Sequence, residues 1–298
     1  MRVCNICQNI SIKTARVGCY EKCSGCGHEV HVGPLSDRFI VNDELFIDSV
    51  QKIDGLLKYK KKIVEFCMKD DNFLLDVGSA SGKFLYNLKN KFRGSAGVEI
   101  TPECIKFSKD QLQLRIVQKI SELADVKLSV VTFWHTMEHI PFPELQEILS
   151  FIKKHSTADS KLIISVPNAD STLYRLNGSN FAYYDNASHI HQFSPRSLDL
   201  LLGQFGFVQE RRFFSFAYSF FGYLQTWLNS GNLKRNFLYF FLKRGEKFGL
   251  NKPKIYLLFI YNIVLAGLLI IPALVGCIYD AIFKNRAVVL TLCYHFEP

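Results

Sequence analysis

What this chain has little of narrows its class first. Charged residues make up only 21% of its 298 positions, against 48% hydrophobic and 14% aromatic with 26 Phe, so the polar, highly charged signature of disorder is missing. That length is enough for about two domains and a buried core. No apolar run precedes the first cysteines, the chain opening Met1-Arg2-Val3-Cys4, which predicts no cleaved secretory signal and a cytosolic start where thiols stay reduced. The dinucleotide fingerprint Gly-x-Gly-x-x-Gly does not occur, and neither do internal repeats or low-complexity tracts. Acidic residues are the minority, 27 against 36 basic ones. The resulting +9 suits nucleic acid, anionic lipid or a phosphorylated substrate without choosing among them.

Cysteine, in contrast, is concentrated. Five of nine (Cys4, Cys7, Cys19, Cys23, Cys26) fall in the first 26 residues. Cys4-x2-Cys7, fifteen residues, then Cys23-x2-Cys26 is the two-knuckle spacing of a structural zinc site, each pair placing two thiolates on a tight turn. Gly25 and Gly27 supply the backbone freedom a knuckle needs. Four protein ligands leave no open position, so the expected role is structural, with the metal holding residues 1–34 together; His28 and Cys19 are spare candidates, and free thiols in a loop are the bland alternative. Cys67, Cys104, Cys277 and Cys293 read as small hydrophobes.

Residues 73–88 read as strand, Gly-rich turn and helix: an apolar run ending in Asp76-Val77, then Gly78-Ser79-Ala80-Ser81-Gly82, then Lys83-Phe84-Leu85-Tyr86-Asn87-Leu88. Gly78 and Gly82 let backbone approach a ligand at the carboxyl edge of a parallel sheet. About seventeen residues later, Gly97-Val98-Glu99-Ile100 reads as a second strand ending in an acid able to accept ribose hydroxyls. Surface charges that merely end strands are the alternative for Asp76 and Glu99.

These segments, with Val130-Val131-Thr132-Phe133-Trp134-His135-Thr136-Met137-Glu138-His139-Ile140, Ile163-Ile164-Ser165-Val166-Pro167-Asn168 and His189-Ile190-His191-Gln192-Phe193-Ser194-Pro195, resemble in order a class I S-adenosylmethionine-dependent methyltransferase. The branch they resemble is that of ubiquinone-biosynthesis-type O-methyltransferases and of zinc-ribbon methyltransferases from bacterial glycan and sugar pathways. The resemblance covers roughly residues 1–214 and returns at 286–298. It implies an α/β fold with a mostly parallel seven-stranded Rossmann-like sheet. It also implies that Asp76, Gly78 and Gly82 surround the methionine part of the cofactor, that Glu99 binds its ribose, and that Ser79 and Trp134 complete the cofactor site. Two positions depart from the pattern: Ala80 stands in place of a central Gly, and Ser129 in place of an acid opening the fourth strand.

Methyl transfer from a sulfonium is an in-line displacement, so positioning dominates and a base is needed only for a hydroxyl acceptor. His135, Glu138 and His139 follow the fourth strand at i, i+3, i+4 spacing, one face if the segment is helical. His139 is the expected base or orienter, with Glu138 beside it. A divalent cation at His135, Glu138 and His139 is a second possibility by resemblance, although His135 stands where related enzymes carry a first Glu; a helix cap is the structural alternative. His189 and His191 are expected to line the acceptor pocket, and Ser194-Pro195 to cap the helix after it.

The last two strands are expected at 207–216 and 287–293, separated by about seventy residues that include 255–279, twenty-five positions with no formal charge. A single bilayer crossing would strand the final β-segment on the wrong side of its partner. The insert is therefore expected to cross an even number of times, or, with Pro272 near its middle, to form a broken, re-entrant or surface-lying helix pair. Lys234, Arg235, Lys243, Arg244, Lys247, Lys252 and Lys254, interleaved with Phe237, Leu238, Tyr239, Phe240, Phe241 and Phe248, suit an anionic headgroup layer. A buried helical subdomain or a dimer interface is the alternative, and nucleic acid fits this apolar stretch poorly.

The expected organisation is thus a zinc ribbon (1–34), a helical linker (35–70) with Lys58–Lys62 on its solvated face, a methyltransferase core (71–216), a membrane-associating insert (217–285) and the final core strand (286–298). The expected activity is O-methylation of a lipid-linked saccharide, polyprenyl or quinone-like acceptor at the cytosolic side of a membrane. Rival readings are methylation of a soluble sugar nucleotide, or a decayed zinc-bearing membrane scaffold.

Overall fold

The computed structural model describes residues 3–8, 15–17, 19–33, 54–123, 126–185, 188–231, 235–244 and 252–298. Lys234, Lys247, Phe248 and the first half of the expected linker lie outside the described residues. The chain opens with three short strands, β1 (Ala15–Val17), β2 (Tyr20–Lys22) and β3 (Glu29–His31). Helix α1 (Gly55–Cys67) follows, its N-terminus capped by Asp54, whose carboxylate accepts from the Leu57 N–H at 2.7 Å. Alternating strands and helices then build the core: β4 (Phe73–Val77), α2 (Lys83–Tyr86), β5 (Gly94–Val98), α3 (Pro102–Asp110), β6 (Ile116–Val117), β7 (Leu128–Trp134), α4 (Phe142–His155) and β8 (Ser156–Pro167). Then come α5 (Thr172–Asn177), β9 (His191–Gln192), α6 (Pro195–Gly203) and β10 (Phe207–Phe213), before α7 (Phe216–Ser230), α8 (Phe237–Arg244), α9 (Lys252–Ile282) and the last strand, β11 (Val289–Phe296).

Seven strands form one sheet in the order β10-β11-β8-β7-β4-β5-β6, parallel except that β11 runs antiparallel to both β8 and β10. The period-two alternation of a twice-covered strand sorts the core. Leu74, Val130, Ile163 and Cys293 face α1 and α3 through Leu57, Ile63, Val64 and Phe107. Leu75, Val131, Ile164 and Leu292 face α4 and α6 through Leu145, Ile148, Leu198 and Leu202. The expected mostly parallel seven-stranded sheet is therefore present. Its final pair is displaced slightly, since Phe216 opens α7 and β11 runs on to Phe296.

The ribbon is not a separate bead. Strand β3 pairs with β9 of the core, Glu29 opposite Gln192 and Val30 opposite His191, which completes a second sheet β1-β2-β3-β9. Tyr20, fully buried, donates to the carbonyls of Asp185 and His189 at 3.0 Å each, and Tyr174 donates to Glu29 at 2.6 Å.

The insert departs from the expected broken pair. Helix α9 runs unbroken for 31 residues, about 46 Å, with Pro272 inside it on an exposed turn. The N–H that Pro272 lacks is tolerated because packing on α7 holds the helix: Gly276 lies against the Tyr223 ring, and Asp280 accepts from Ser219 Oγ (2.7 Å), Tyr223 OH (3.1 Å) and the Val288 N–H (3.1 Å). Among the described residues α9 is the one helix long and apolar enough to cross a bilayer. Because β10 and β11 share a sheet, both ends of the insert leave from the same side of the core.

Candidate active site

The turn between β4 and α2 carries three left-handed residues, Gly78 (φ +77°), Ala80 (φ +47°) and Gly82 (φ +75°). A Cβ on Gly78 would come within 2.3 Å of the Thr136 side chain, so the turn is pressed against the start of the His135–His139 segment at the neighbouring strand end. Ala80 adopts the angle that the missing glycine would have, at a cost of about 1 to 2 kcal/mol. Its N–H donates to Glu99 Oε2 at 2.8 Å, while Ile100 and Thr101 donate to Oε1 at 2.9 and 2.8 Å. Three of the roughly four acceptor positions of that carboxylate are thus filled by backbone. One place on Oε2 remains, so gripping both hydroxyls of a ribose requires the turn to yield Ala80.

Asp76 is buried in β4 and accepts from Thr132 Oγ1 at 2.6 Å. Burial pushes its carboxyl up to about 7, and Glu99 adds to this; the Thr132 hydroxyl and Lys60 oppose it. Ser79 Oγ and Trp134 Nε1 are buried without a hydrogen-bond partner, which a bound ligand would supply. The Trp134 ring packs edge-on to Phe84 with Lys60 Nζ 5.1 Å above it, so Lys60 is not merely solvated. At the other departure, Ser129 bonds Asp70 and accepts from the Phe73 N–H at 3.1 Å, so the acid missing from the strand is supplied by the preceding loop.

Beyond Trp134 the chain enters a left-handed residue, His135 (φ +56°), whose N–H donates to the Ser165 carbonyl at 2.8 Å. Its ring sits between Tyr183 and Tyr218 at 6.0 and 4.9 Å. A single 3₁₀ turn, Met137–His139, replaces the expected helical face. Glu138 turns inward, 1% exposed, with neither oxygen in a firm hydrogen bond; His135 Nδ1 stands 3.4 Å from Oε1. Burial alone would raise this carboxyl, but His135 together with His139 and His189 holds it below the usual carboxylate range.

His139 and His189 meet edge to face at 4.6 Å, and ligand atoms of Glu138, His139 and His189 all lie within 4.8 Å of one another. His189 therefore takes the place expected for His135 in a three-residue cluster. The Ser188 carbonyl, 3.1 Å from His139 Nδ1, can only accept, so Nδ1 is the donor of that bond. Burial, with His139 adding to it, pushes His189 down to about 4, leaving it neutral, and its Nδ1 faces the Gln192 amide at 3.3 Å. His191 corrects the expectation that it lines this site. Its Nε2 donates to the Ile140 carbonyl and its Nδ1 meets His28 Nε2, both at 3.1 Å, facing the ribbon. Tyr183, Tyr218 and Tyr20 shape the site without any spacing signal in the sequence, since each arrives from a different element.

In the ribbon, Cys4, Cys7, Cys23 and Cys26 bring their sulfurs within 4.8 Å, with Cys4–Cys26 at 3.7 Å and Cys7–Cys23 at 3.5 Å. A tetrahedron with metal–sulfur bonds of about 2.3 Å has edges of about 3.8 Å, so the set fits zinc. Cys19 stands outside the set, its N–H directed at Tyr184 OH.

A parallel sheet with one reversed strand, a glycine turn on its first strand and an acid ending the second define an S-adenosylmethionine-dependent class I methyltransferase. Residues 52–210, just over half of the chain, match the methyltransferase-domain family, and the chain belongs to it. The cyclopropane synthase MmaA2 from Mycobacterium tuberculosis is similar in fold, with a TM-score of 0.52 at 12% identity over 87% of this chain and 94% of that one. A SAM-dependent methyltransferase from Archaeoglobus fulgidus aligns over 84% of this chain and 98% of its own, at 19% identity and a TM-score of 0.47. No curated protein matches the chain.

Proposed function

We propose that the enzyme moves the methyl group of S-adenosylmethionine to a hydroxyl of a lipid-linked saccharide, polyprenyl or quinone-like acceptor at the cytosolic face of a membrane. One observation carries the hydroxyl: Glu138, buried with no firm donor, lies beside two imidazoles and two residues on from Thr136, which packs against the glycine turn. A buried carboxylate left so costs several kcal/mol and calls for a donor or cation in the assembled site. His139 Nε2 is the base, His189 and Glu138 orient the acceptor and balance the imidazolium that forms. Asp76, Gly78, Ser79, Gly82, Glu99 and Trp134 hold the cofactor, which supplies an electrophilic methyl on a cationic sulfur. The cysteine set holds a structural zinc ion. A divalent cation at Glu138, His139 and His189 is the second reading, favoured by the same unpaired carboxylate; metal analysis returning one zinc per chain and nothing else would dismiss it.

Calorimetric titration with S-adenosylhomocysteine tests the cofactor site. Its ammonium group favours the Asp76 carboxylate, so binding releases the proton held at about 7, and affinity should rise about tenfold between about pH 6 and 8. Asp76→Asn should flatten that profile. No heat at any pH would sink the assignment.

The membrane reading is supported by α9. Ile260, Leu268, Ile271, Val275 and Ile278 are all exposed on one face, Ile271 at 74%, and only 11% of the helix's most apolar stretch is buried. Arg235 does not belong to the basic rim, because its guanidinium donates to the carbonyls of Phe181 and Ala182 at 2.6 and 3.3 Å and is half-buried over Tyr184. The full chain should sediment with anionic vesicles. Leu268→Asp with Ile271→Asp, which removes apolar surface and adds charge of the same sign as the vesicle, should abolish this without lowering Tm, because both side chains are already solvent-exposed. Equal binding by this variant would contradict the reading.

A further inference from the structure

The inner side of the insert holds a cavity that the methyl-transfer cluster does not use. Between α7 and α8 lies a groove of about 450 Å³ lined by Phe221, Leu224, Leu228, Leu238, Tyr239 and Leu242, with Gln225 as its one amide. That is within the range of about 300 to 1,000 Å³ typical of small-molecule sites. Gln225 donates from Nε2 to Asn229 Oδ1 at 3.0 Å, so its amide is partly spent within α7. Among the described residues, no carboxylate, ammonium or guanidinium lines the groove.

The groove is joined to the site by aromatic rings. Phe221 packs on Tyr183 with ring centroids 5.7 Å apart. Tyr183 in turn lies parallel to His135 at 6.0 Å, pinned by its hydroxyl's 2.8 Å bond to the Tyr218 carbonyl. His135 touches Glu138. An apolar wall therefore runs from the insert to the polar cluster where a hydroxyl is deprotonated.

We propose that this groove binds the hydrocarbon chain of the acceptor, an isoprenoid or long acyl-type tail, while its hydroxyl end sits at Glu138, His139 and His189. The proposal rests on the methyltransferase reading of that cluster and adds the substrate's second half. Size selects the occupant. One turn of an α-helix with its side chains displaces roughly 400 Å³, so the groove holds about one turn, too little for the three or more turns that a helix from a second copy or another protein needs to anchor. A flexible chain needs no more room than its own width. Placement agrees, since α9, packed on α7, turns its uncharged face outward, where such chains are dissolved.

The probe is palmityl alcohol with a diazirine along its chain, presented to the full-length protein in vesicles and mapped by mass spectrometry after irradiation. Labelling is expected at Phe221, Leu238 and Leu242, suppressed by unlabelled alcohol. Leu224→Trp with Leu238→Trp, which fills the groove, should weaken groove labelling at least tenfold and leave S-adenosylhomocysteine titration unchanged. Labelling confined to the outer α9 residues Ile260, Leu268 and Ile271 would overturn the proposal even if the tryptophan variant failed to fold. So would a folded variant labelled like the wild type. A wild-type chain that takes up no S-adenosylhomocysteine yet labels in the groove would fail the methyltransferase-site reading and still uphold the chain site.

Discussion

Replacing His139 by alanine is expected to lower turnover by about 10²- to 10⁴-fold, the usual contribution of a positioned base, while S-adenosylhomocysteine affinity changes less than about twofold. The split follows from where the residue sits. His139 is on the 3₁₀ turn after β7, with Nδ1 held by the Ser188 carbonyl and Nε2 aimed at the cluster shared with Glu138 and His189. The proposed cofactor contacts, in contrast, belong to the turn after β4 and to Glu99. His139→Gln, which keeps a donor near the Ser188 carbonyl but supplies no base, should lose as much turnover as alanine. Parallel loss of turnover and cofactor affinity would instead make His139 a folding residue.

Loss of the proposed zinc should be as severe, by a longer route. Structural zinc binding is worth roughly 10 to 16 kcal/mol, comparable with the whole stability of a domain, so a ribbon without it does not hold together. The consequence is specific because the ribbon grips the segment that carries His189. Tyr20 donates to the His189 carbonyl, His28 meets His191, β3 pairs with β9, and Ser194 Oγ donates to the Cys26 carbonyl at 2.7 Å. Cys4→Ser with Cys23→Ser should therefore cost at least about 100-fold in turnover and expose the ribbon to limited proteolysis, with S-adenosylhomocysteine binding retained. Protease resistance and turnover equal to the wild type would show that the thiols hold nothing.

One test probes a strand end of the seven-stranded sheet and the other the ribbon joined to the core through β9, and that arrangement was only partly legible in the sequence. The glycine turn, Asp76 and Glu99 could be placed because each is local, a strand and the few residues after it. The cysteine set likewise rests on a spacing that a knuckle dictates. Their place after the fourth strand singled out His139 and Glu138, and resemblance implied the mostly parallel seven-stranded sheet. His135 and His191 lie where sequence spacing does not put them for one reason: neighbours in sequence do not face the same way here. A left-handed residue at His135 turns its ring toward Tyr183 and Tyr218, and the pairing of β9 with β3 sends His191 into the ribbon while His189 faces the cluster.

Local spacing determined the strand, glycine turn and helix at residues 73–88, the sulfur set and the presence of a long uncharged stretch, because each depends on contacts within a few residues. Tertiary structure alone decided which histidines share Glu138, how the ribbon reaches the catalytic loop, that Pro272 stays inside an unbroken helix, and where an apolar groove opens. Those depend on partners as far apart as Tyr20 and His189 or Ser219 and Asp280, brought together only when the sheet closes its two hydrophobic faces.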